Sequence, residues 1–303
     1  MSSSDLDAEE ADMMLCCCAS CGKAEVDDVK LKDCDDCDLV KYCSDECQRE
    51  HRAEHEALCK KRAVELRDEI LFTQPESSHR GDCPICFLPL PIKSSLYSCC
   101  SKIVCSGCVY VNQIRELNRK LHPQCPFCRH PLPKTQAEMD KNQMKRVAAN
   151  DPVAIRQMGN EHDIDGDYGS AFDFLTKAAE FGDVEAHHHL SNLYRNGQGV
   201  EKDKTKETYH EEEAAIGGHP KARYILACYE GINRRFERAV KHFIIAANLG
   251  HDDSLKALKQ CYADGEVSKE DFAAALRAHQ AAVDATKSPH REAAEKVNHP
   301  HGN

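Results

Sequence analysis

Four closely spaced pairs of metal-binding side chains fall between Cys18 and Cys59: Cys18-x-x-Cys21, Cys34-x-x-Cys37, Cys43-x-x-x-Cys47 and His55-x-x-x-Cys59. The two sulfurs of a Cys-x-x-Cys element reach one metal from a single tight knuckle. Residues four apart on a helix share a face, so Cys43 with Cys47, and His55 with Cys59, can each grip one ion. Eight ligands in four pairs make two tetrahedral sites. Cys16 and Cys17 adjoin Cys18 as alternatives to it, although the two-residue gap to Cys21 favours Cys18. His51 lies on the face shared by Cys47 and His55 and is a competing ligand. A second block repeats the logic with eight sulfurs: Cys83-Pro84-Ile85-Cys86, Cys99-Cys100, Cys105-Ser106-Gly107-Cys108 and Cys125-Pro126-Phe127-Cys128.

Of 19 cysteines, 17 lie between Cys16 and Cys128, leaving Cys228 and Cys261 for the rest of the 303-residue chain. Disulfides are the alternative use of such a segment, but they need an oxidising compartment. The opening Met-Ser-Ser-Ser-Asp turns acidic and lacks the basic flank and apolar stretch of a signal peptide. No apolar run approaches the roughly 20 residues that cross a bilayer. The expectation is an intracellular protein of cytoplasm or nucleus, with no membrane partner and with Zn2+ on paired thiolates. A formal charge of -11, made more negative by metal-bound thiolates, opposes the phosphate attraction that drives nucleic-acid binding. No nucleic acid is expected as a partner.

Residues 18–59 resemble the MYND zinc finger, through Tyr42-Cys43-Ser44-Asp45-Glu46-Cys47-Gln48 and the closing His55-x-x-x-Cys59. The resemblance implies interleaved ligation, with Cys18, Cys21, Cys43 and Cys47 on one zinc and Cys34, Cys37, His55 and Cys59 on the other. Two features depart from the family. His51 stands where an aromatic residue is common, and the gap from Cys21 to Cys34 is long. MYND fingers bind proteins, commonly short proline-containing motifs. Some methyltransferases join this finger to a SET domain; no SET-like sequence follows here.

Residues 83–129 resemble a RING finger in the variant where cysteine replaces the usual histidine. Carried over, Cys83, Cys86, Cys105 and Cys108 hold one zinc, and Cys99, Cys100, Cys125 and Cys128 the other. The family separates the second pair of ligands by at least one residue, so adjacent Cys99-Cys100 departs from it, and Lys102 is the other candidate for the histidine position. A RING ubiquitin ligase docks a ubiquitin-conjugating enzyme and orients its thioester, with no covalent intermediate of its own. The positions that do this correspond to Ile85, Pro126 and Arg129, the last with a guanidinium fork suited to bridging two proteins. The alternative is a RING-like scaffold in which these residues serve only the knuckles.

The elements behind these blocks have another character. From about Asp151 the spacing is helical and repeats. Ala178-Ala179-Glu180-Phe181-Gly182, Ala214-Ala215-Ile216-Gly217-Gly218 and Ala246-Ala247-Asn248-Leu249-Gly250 are copies. A small residue follows each closing glycine by four (Ala186, Ala222, Ser254), and a leucine by eight (Leu190, Leu226, Leu258). Such a period marks stacked helix pairs, here about four, whose glycines end the second helix of each pair. An earlier copy fits from Ala154 and Met158, and a later helix from Ser268 to about Ala285. The region resembles Sel-one-like repeats, relatives of tetratricopeptide repeats, best at Gly197-Gln198-Gly199-Val200 followed by Asp203. Such arrays present a concave surface to other proteins.

The organisation read from the sequence is a disordered acidic segment 1–15, a finger at 16–59, a helix and linker at 60–82, and a second finger at 83–134. A linker or helix at 135–150, repeats at 151–286 and a disordered tail at 287–303 complete it. The helix at 60–72 offers Val64, Ile70 and Leu71 as apolar contacts. His187-His188-His189 cannot share one metal, because consecutive helical residues point about 100° apart. Glu211-Glu212-Glu213 reads as an exposed helix face, and Cys228 and Cys261 as small core residues. The fold class is multidomain: two small zinc-stabilised α+β modules, then an all-α solenoid, with four Zn2+ ions. The expected function is a RING-type ubiquitin ligase or ligase component that recruits substrates through the MYND finger and repeats. The alternatives are a non-enzymatic scaffold and a MYND-dependent transcriptional co-regulator.

Overall fold

The computed structural model describes residues 17–26, 30–92 and 94–298, so the expected disordered segment 1–15 lies outside the described residues. The chain divides into two compact units, one ending at Thr73 and the other starting at Gln74.

In the first unit a two-residue antiparallel pair, β1 (Lys32–Asp33) and β2 (Lys41–Tyr42), precedes one long helix, α1 (Asp45–Leu71). Its core is Cys18, Cys34, Cys37, Val40, Tyr42 and Cys59. Four of these six are cysteines, so the apolar surface alone is too small to sustain a fold, and small modules of this kind rely on a metal. Ser44 caps α1 by accepting the Cys47 N–H at 3.3 Å, and Asp45 and Glu46 sit favourably in its first turn. The helix expected at 60–72 is therefore the continuation of the ligand-bearing helix. Of its three candidate apolar contacts only Leu71 is buried; Val64 and Ile70 are exposed. This stretch is dressed with ion pairs instead: Arg62 meets both carboxylate oxygens of Asp38 (2.7 and 2.8 Å) and Glu69 at 2.9 Å.

The second unit opens with a β-hairpin, β3 (Ser94–Tyr97) and β4 (Lys102–Cys105), in the register Ser94↔Cys105 to Tyr97↔Lys102, followed by α2 (Ser106–Arg119). Helix α3 (Gln136–Ala148) fills the stretch left open as linker or helix. Helix pairs follow: α4 (Pro152–Ile164) with α5 (Tyr168–Glu180), α6 (Val184–Asn196) with α7 (Lys204–Ile216), α8 (Pro220–Ile232) with α9 (Phe236–Asn248), and α10 (Asp252–Ala263) with α11 (Lys269–Ala285). The expected disordered tail is different. Residues Pro289–Asn298 form α12, which packs against α2 and buries Arg291 and Ala294. Its polar composition hides this, because the buried contact is one arginine and one alanine.

The repeat rests on one device that recurs at its three copied Ala-Ala-x-x-Gly junctions. Gly182, Gly218 and Gly250 all have φ between 82° and 84°, a left-handed conformation that costs little only for glycine. Each N–H bonds back to the last-turn carbonyl of Ala179, Ala215 or Ala247, and the next residue's N–H to that of Ala178, Ala214 or Ala246. This is the Schellman closure. The residue after each glycine then caps the following helix: Asp183 accepts from Ala186 N, His219 from Ala222 N, and His251 from Ser254 N. Ala179 is half-buried, the other repeated alanines and Ser254 are fully buried, and Leu190, Leu226 and Leu258 are buried with them.

Three expectations need correction here. Glu211 is fully buried, because the preceding helix supplies partners: His188 Nδ1 at 3.0 Å, Arg195 at 3.3 Å and the Ser191 hydroxyl. The composition of 73–82 suggests a free linker, yet His79 N–H donates to Gly218 O at 3.0 Å and its side chain is nearly enclosed. Cys228 and Cys261 are half-buried at the edge of the last core cluster.

Candidate metal centres

In the first unit the ligand atoms of Cys18, Cys21, Cys43 and Cys47 lie within 4.8 Å of one another, as do those of Cys34, Cys37, His55 and Cys59. Cys18 starts a knuckle in which Gly22 N–H returns to Cys18 O and Cys18 N–H bonds Lys23 O, both at 2.8 Å. Cys43 lies just before α1, so the capped entry turn, rather than helical spacing, brings its sulfur within 3.6 Å of Cys47. His55 and Cys59 do share a helix face, and His55 Nε2 stands 3.2 Å from Cys37 Sγ. His51 is outside both groups. Its Nδ1 pairs with the Tyr42 hydroxyl at 3.0 Å and its ring stacks near His55. It fills the place of the family's aromatic residue.

The second unit holds two further groups: Cys83, Cys86, Cys105 and Cys108, and Cys99, Cys100, Cys125 and Cys128. The first and third pairs thus converge, and the second and fourth. The two Cys-Pro-x-Cys knuckles share one geometry. Phe87 N–H returns to Cys83 O and Arg129 N–H to Cys125 O, both at 2.9 Å, and Phe87 and Arg129 take the left-handed conformation, as Gly22 does in the first unit. Adjacent Cys99 and Cys100 both reach the second group, with Sγ–Sγ distances of 3.4 Å to Cys128 and 3.8 Å to Cys125. The turn over Tyr97–Ser101, closed by Ser101 N–H to Tyr97 O with Ser101 left-handed, accommodates them. Lys102 is exposed on β4.

These groups fit Zn2+. Sulfurs about 2.3 Å from a tetrahedral zinc stand about 3.8 Å apart. The closest sulfur pairs here run from 3.4 to 3.9 Å, far from the ~2.05 Å of a disulfide, and every described cysteine is a free thiol. The electrostatics agree. Burial by itself raises the Cys18 thiol, but N–H groups of Cys21, Cys43 and Ser20 aimed at it bring it down to about 6. In the same way burial of Cys83 is outweighed by N–H groups of Cys105, Cys86 and Ile85, giving about 7. Crowding pushes other thiols the opposite way: Cys43, beside Cys18, goes up to about 12 through Cys21, Cys47 and Cys18, and in the neighbouring tetrad Cys59 goes to about 12 through burial and through Cys34 and Cys37. Four thiols this close cannot ionise together without a cation between them. Burial and His51 lower the His55 imidazole, which keeps it in the neutral, ligating form.

A fifth group, His79, Glu185 and His219, also converges within 4.8 Å. Its chemistry is different. His219 Nδ1 accepts the Ala222 N–H at 3.1 Å, so the neutral ring carries its proton on Nε2, the atom facing Glu185 at 3.6 Å. A metal on Nε2 would force that proton onto Nδ1, against the backbone donor. His79 Nε2 lies 2.7 Å from the same carboxylate, and the two rings stack at 4.3 Å. The trio is a carboxylate flanked by two imidazoles, and the sequence reading missed it because its members come from three distant segments. His187, His188 and His189 diverge as expected, toward His210, Glu211 and Glu185. Of the docking candidates, Ile85 is 38% exposed, Pro126 half-buried and Arg129 exposed.

Residues 18–59 match the MYND finger family. Among solved structures, the chain is similar to a Sel1 repeat protein from Oxalobacter formigenes, with 25% identity over 51% of this chain and 66% of that one, at a TM-score of 0.43. It is also similar to a protective antigen present in uropathogenic Escherichia coli strains and displaying an SLR fold, with 17% identity over 55% of this chain and 37% of that one, at a TM-score of 0.38. The chain covers less than two thirds of either protein. No curated protein sequence matches it. Among the described residues no helix is long and apolar enough to cross a membrane. The chain thus joins a zinc finger of protein-interaction type and a second cysteine-rich module to a helical-repeat array.

Proposed function

We propose that the protein is a zinc-dependent adaptor whose second module acts as a RING-type ubiquitin ligase domain. That module docks a ubiquitin-conjugating enzyme while the MYND finger and the repeat array hold substrates or other protein partners. The observation that carries this reading is the interleaving of two thiol tetrads around knuckles that leave Ile85 and Arg129 open to solvent. Arg129 directly follows the last sulfur of the second tetrad, and after the left-handed turn at that residue the chain folds back along the knuckle, with Cys125 N–H bonding His130 O at 2.8 Å. A guanidinium there is placed to donate to two proteins at once. The work of such a module is orientation of another enzyme's thioester, so no nucleophile of its own is required. The MYND finger is proposed to take proline-containing peptides, and the array folded segments of a substrate.

A ubiquitin-chain assay with a panel of conjugating enzymes tests the reading. Chains are expected with at least one of them, and Ile85→Ala and Arg129→Ala proteins that keep their full zinc content lose the activity. Absence of chains with every conjugating enzyme leaves the protein a non-catalytic scaffold.

A further inference from the structure

Helix α12 lies far from the second module in sequence and against it in space. Arg291 is 3% exposed. Its Nη1 donates to Pro89 O at 2.7 Å and to Thr286 O at 2.6 Å. Its Nη2 donates to Leu88 O at 3.2 Å and to Cys86 Sγ at 3.4 Å, across 205 positions of chain. The other half of the same tetrad is touched as well. Gly107 lies between Cys105 and Cys108, and a Cβ there would meet the Arg291 backbone N at 2.7 Å and its Cγ at 2.8 Å. Backbone packs on backbone at that point, and only glycine permits it.

Four thiolates around one Zn2+ leave about two net negative charges on the sulfurs. N–H donors aimed at the sulfurs spread that charge and fix the ligand rotamers, and such outer partners typically change metal affinity 10–100-fold when removed. Arg291 supplies a full positive charge and, through the Leu88 and Pro89 carbonyls, pins the return strand of the knuckle that carries Ile85.

We propose that Arg291 is a positioning residue for the metal held by Cys83, Cys86, Cys105 and Cys108, and that α12 completes a module which residues 83–134 alone leave unfinished. The inference rests on zinc binding by that tetrad and not on ligase activity. It makes the C-terminal helix a control point, since whatever lifts α12 loosens one metal site and the Ile85 knuckle together.

The test is chelator-driven zinc release from the full-length protein, combined with mapping of thiol alkylation by mass spectrometry. In Arg291→Ala, and in a chain ending at Lys287, one of the four zinc ions is expected to bind 10–100-fold more weakly. Alkylation should rise selectively at Cys83, Cys86, Cys105 and Cys108. Arg291→Lys, which keeps a charge but has only three N–H donors on one nitrogen for four acceptors, should fall between. Unchanged release with unchanged alkylation at those four cysteines overturns the proposal, as does loosening spread evenly over all four sites. Wild-type protein whose Cys83 group is alkylated at once, without chelator, overturns the zinc assignment beneath it.

Discussion

His219 titrates against the fold, and the size of the effect follows from its surroundings. Its ring is buried, faces Glu185, His79 and His188, and holds the first turn of α8 through Nδ1. Burial lowers its pKa from 6.5 to about 4, against the raising influence of Glu185 and with help from His79 and His188. A depressed histidine contributes stability that is complete above the unfolded value and is lost as pH falls from 6.5 toward 4. Between pH 7.5 and 5.5 those two values give a loss of about 1.3 kcal/mol from this ring alone. Glu185 adds nothing in that window, because its carboxyl, though buried, is held far below the usual carboxylate range by His219 and His79. His219→Asn keeps a cap acceptor and removes the titration. Urea unfolding of the helical array, followed by far-ultraviolet circular dichroism in saturating zinc, should show wild type losing about 1.3 kcal/mol more than His219→Asn over this range. The histidines outside this cluster and the zinc sites are common to both proteins and cancel. Parallel pH profiles for the two proteins would refute the reasoning.

Glu211→Ala removes the carboxylate that pairs with His188, Ser191 and Arg195 in a site with no exposure, and it should cost about 3–5 kcal/mol in the same urea titration. A cost under about 1 kcal/mol, the range of surface ion pairs, would mean that the carboxylate is solvated. Gly107→Ala places a methyl against the backbone of α12 and should raise amide exchange across 289–298, whereas Gly231→Ala, with open space at its Cβ, should leave exchange there unchanged. Cys99→Ser should lower the zinc content by one ion, since Cys99 Sγ stands 3.4 Å from Cys128 Sγ. An unchanged content would remove Cys99 from the ligand set.

What the sequence disclosed and what it hid divide along the range of the interactions. The tetrads were legible because each pair of sulfurs is set by a knuckle or turn of a few residues, and the structure brings together the same four groups that the interleaved scheme predicts. The repeat was legible because alanines, glycine and leucine return at fixed offsets, and each offset corresponds to one closure and one buried contact. Histidine as a helix cap at His219 and His251 escaped, since that role is usually filled by Ser, Thr, Asp or Asn. Glu211 was misread because its partners sit 16 to 23 positions away, on the other helix of the pair. For α12 the local signal was confined to its start, where Ser288 precedes Pro289 and its hydroxyl accepts the Arg291 N–H at 3.3 Å; the contacts that hold this polar helix in place, among them Arg291 to carbonyls 202 and 203 positions upstream, lie far off in sequence.

Zinc content bears most directly on the whole account. Native mass spectrometry of the reduced, full-length protein should show four zinc ions per chain, with every cysteine recovered as a free thiol after the metal is stripped. A metal-free chain that stays folded, or one whose cysteines in the two modules are joined as disulfides, would contradict it.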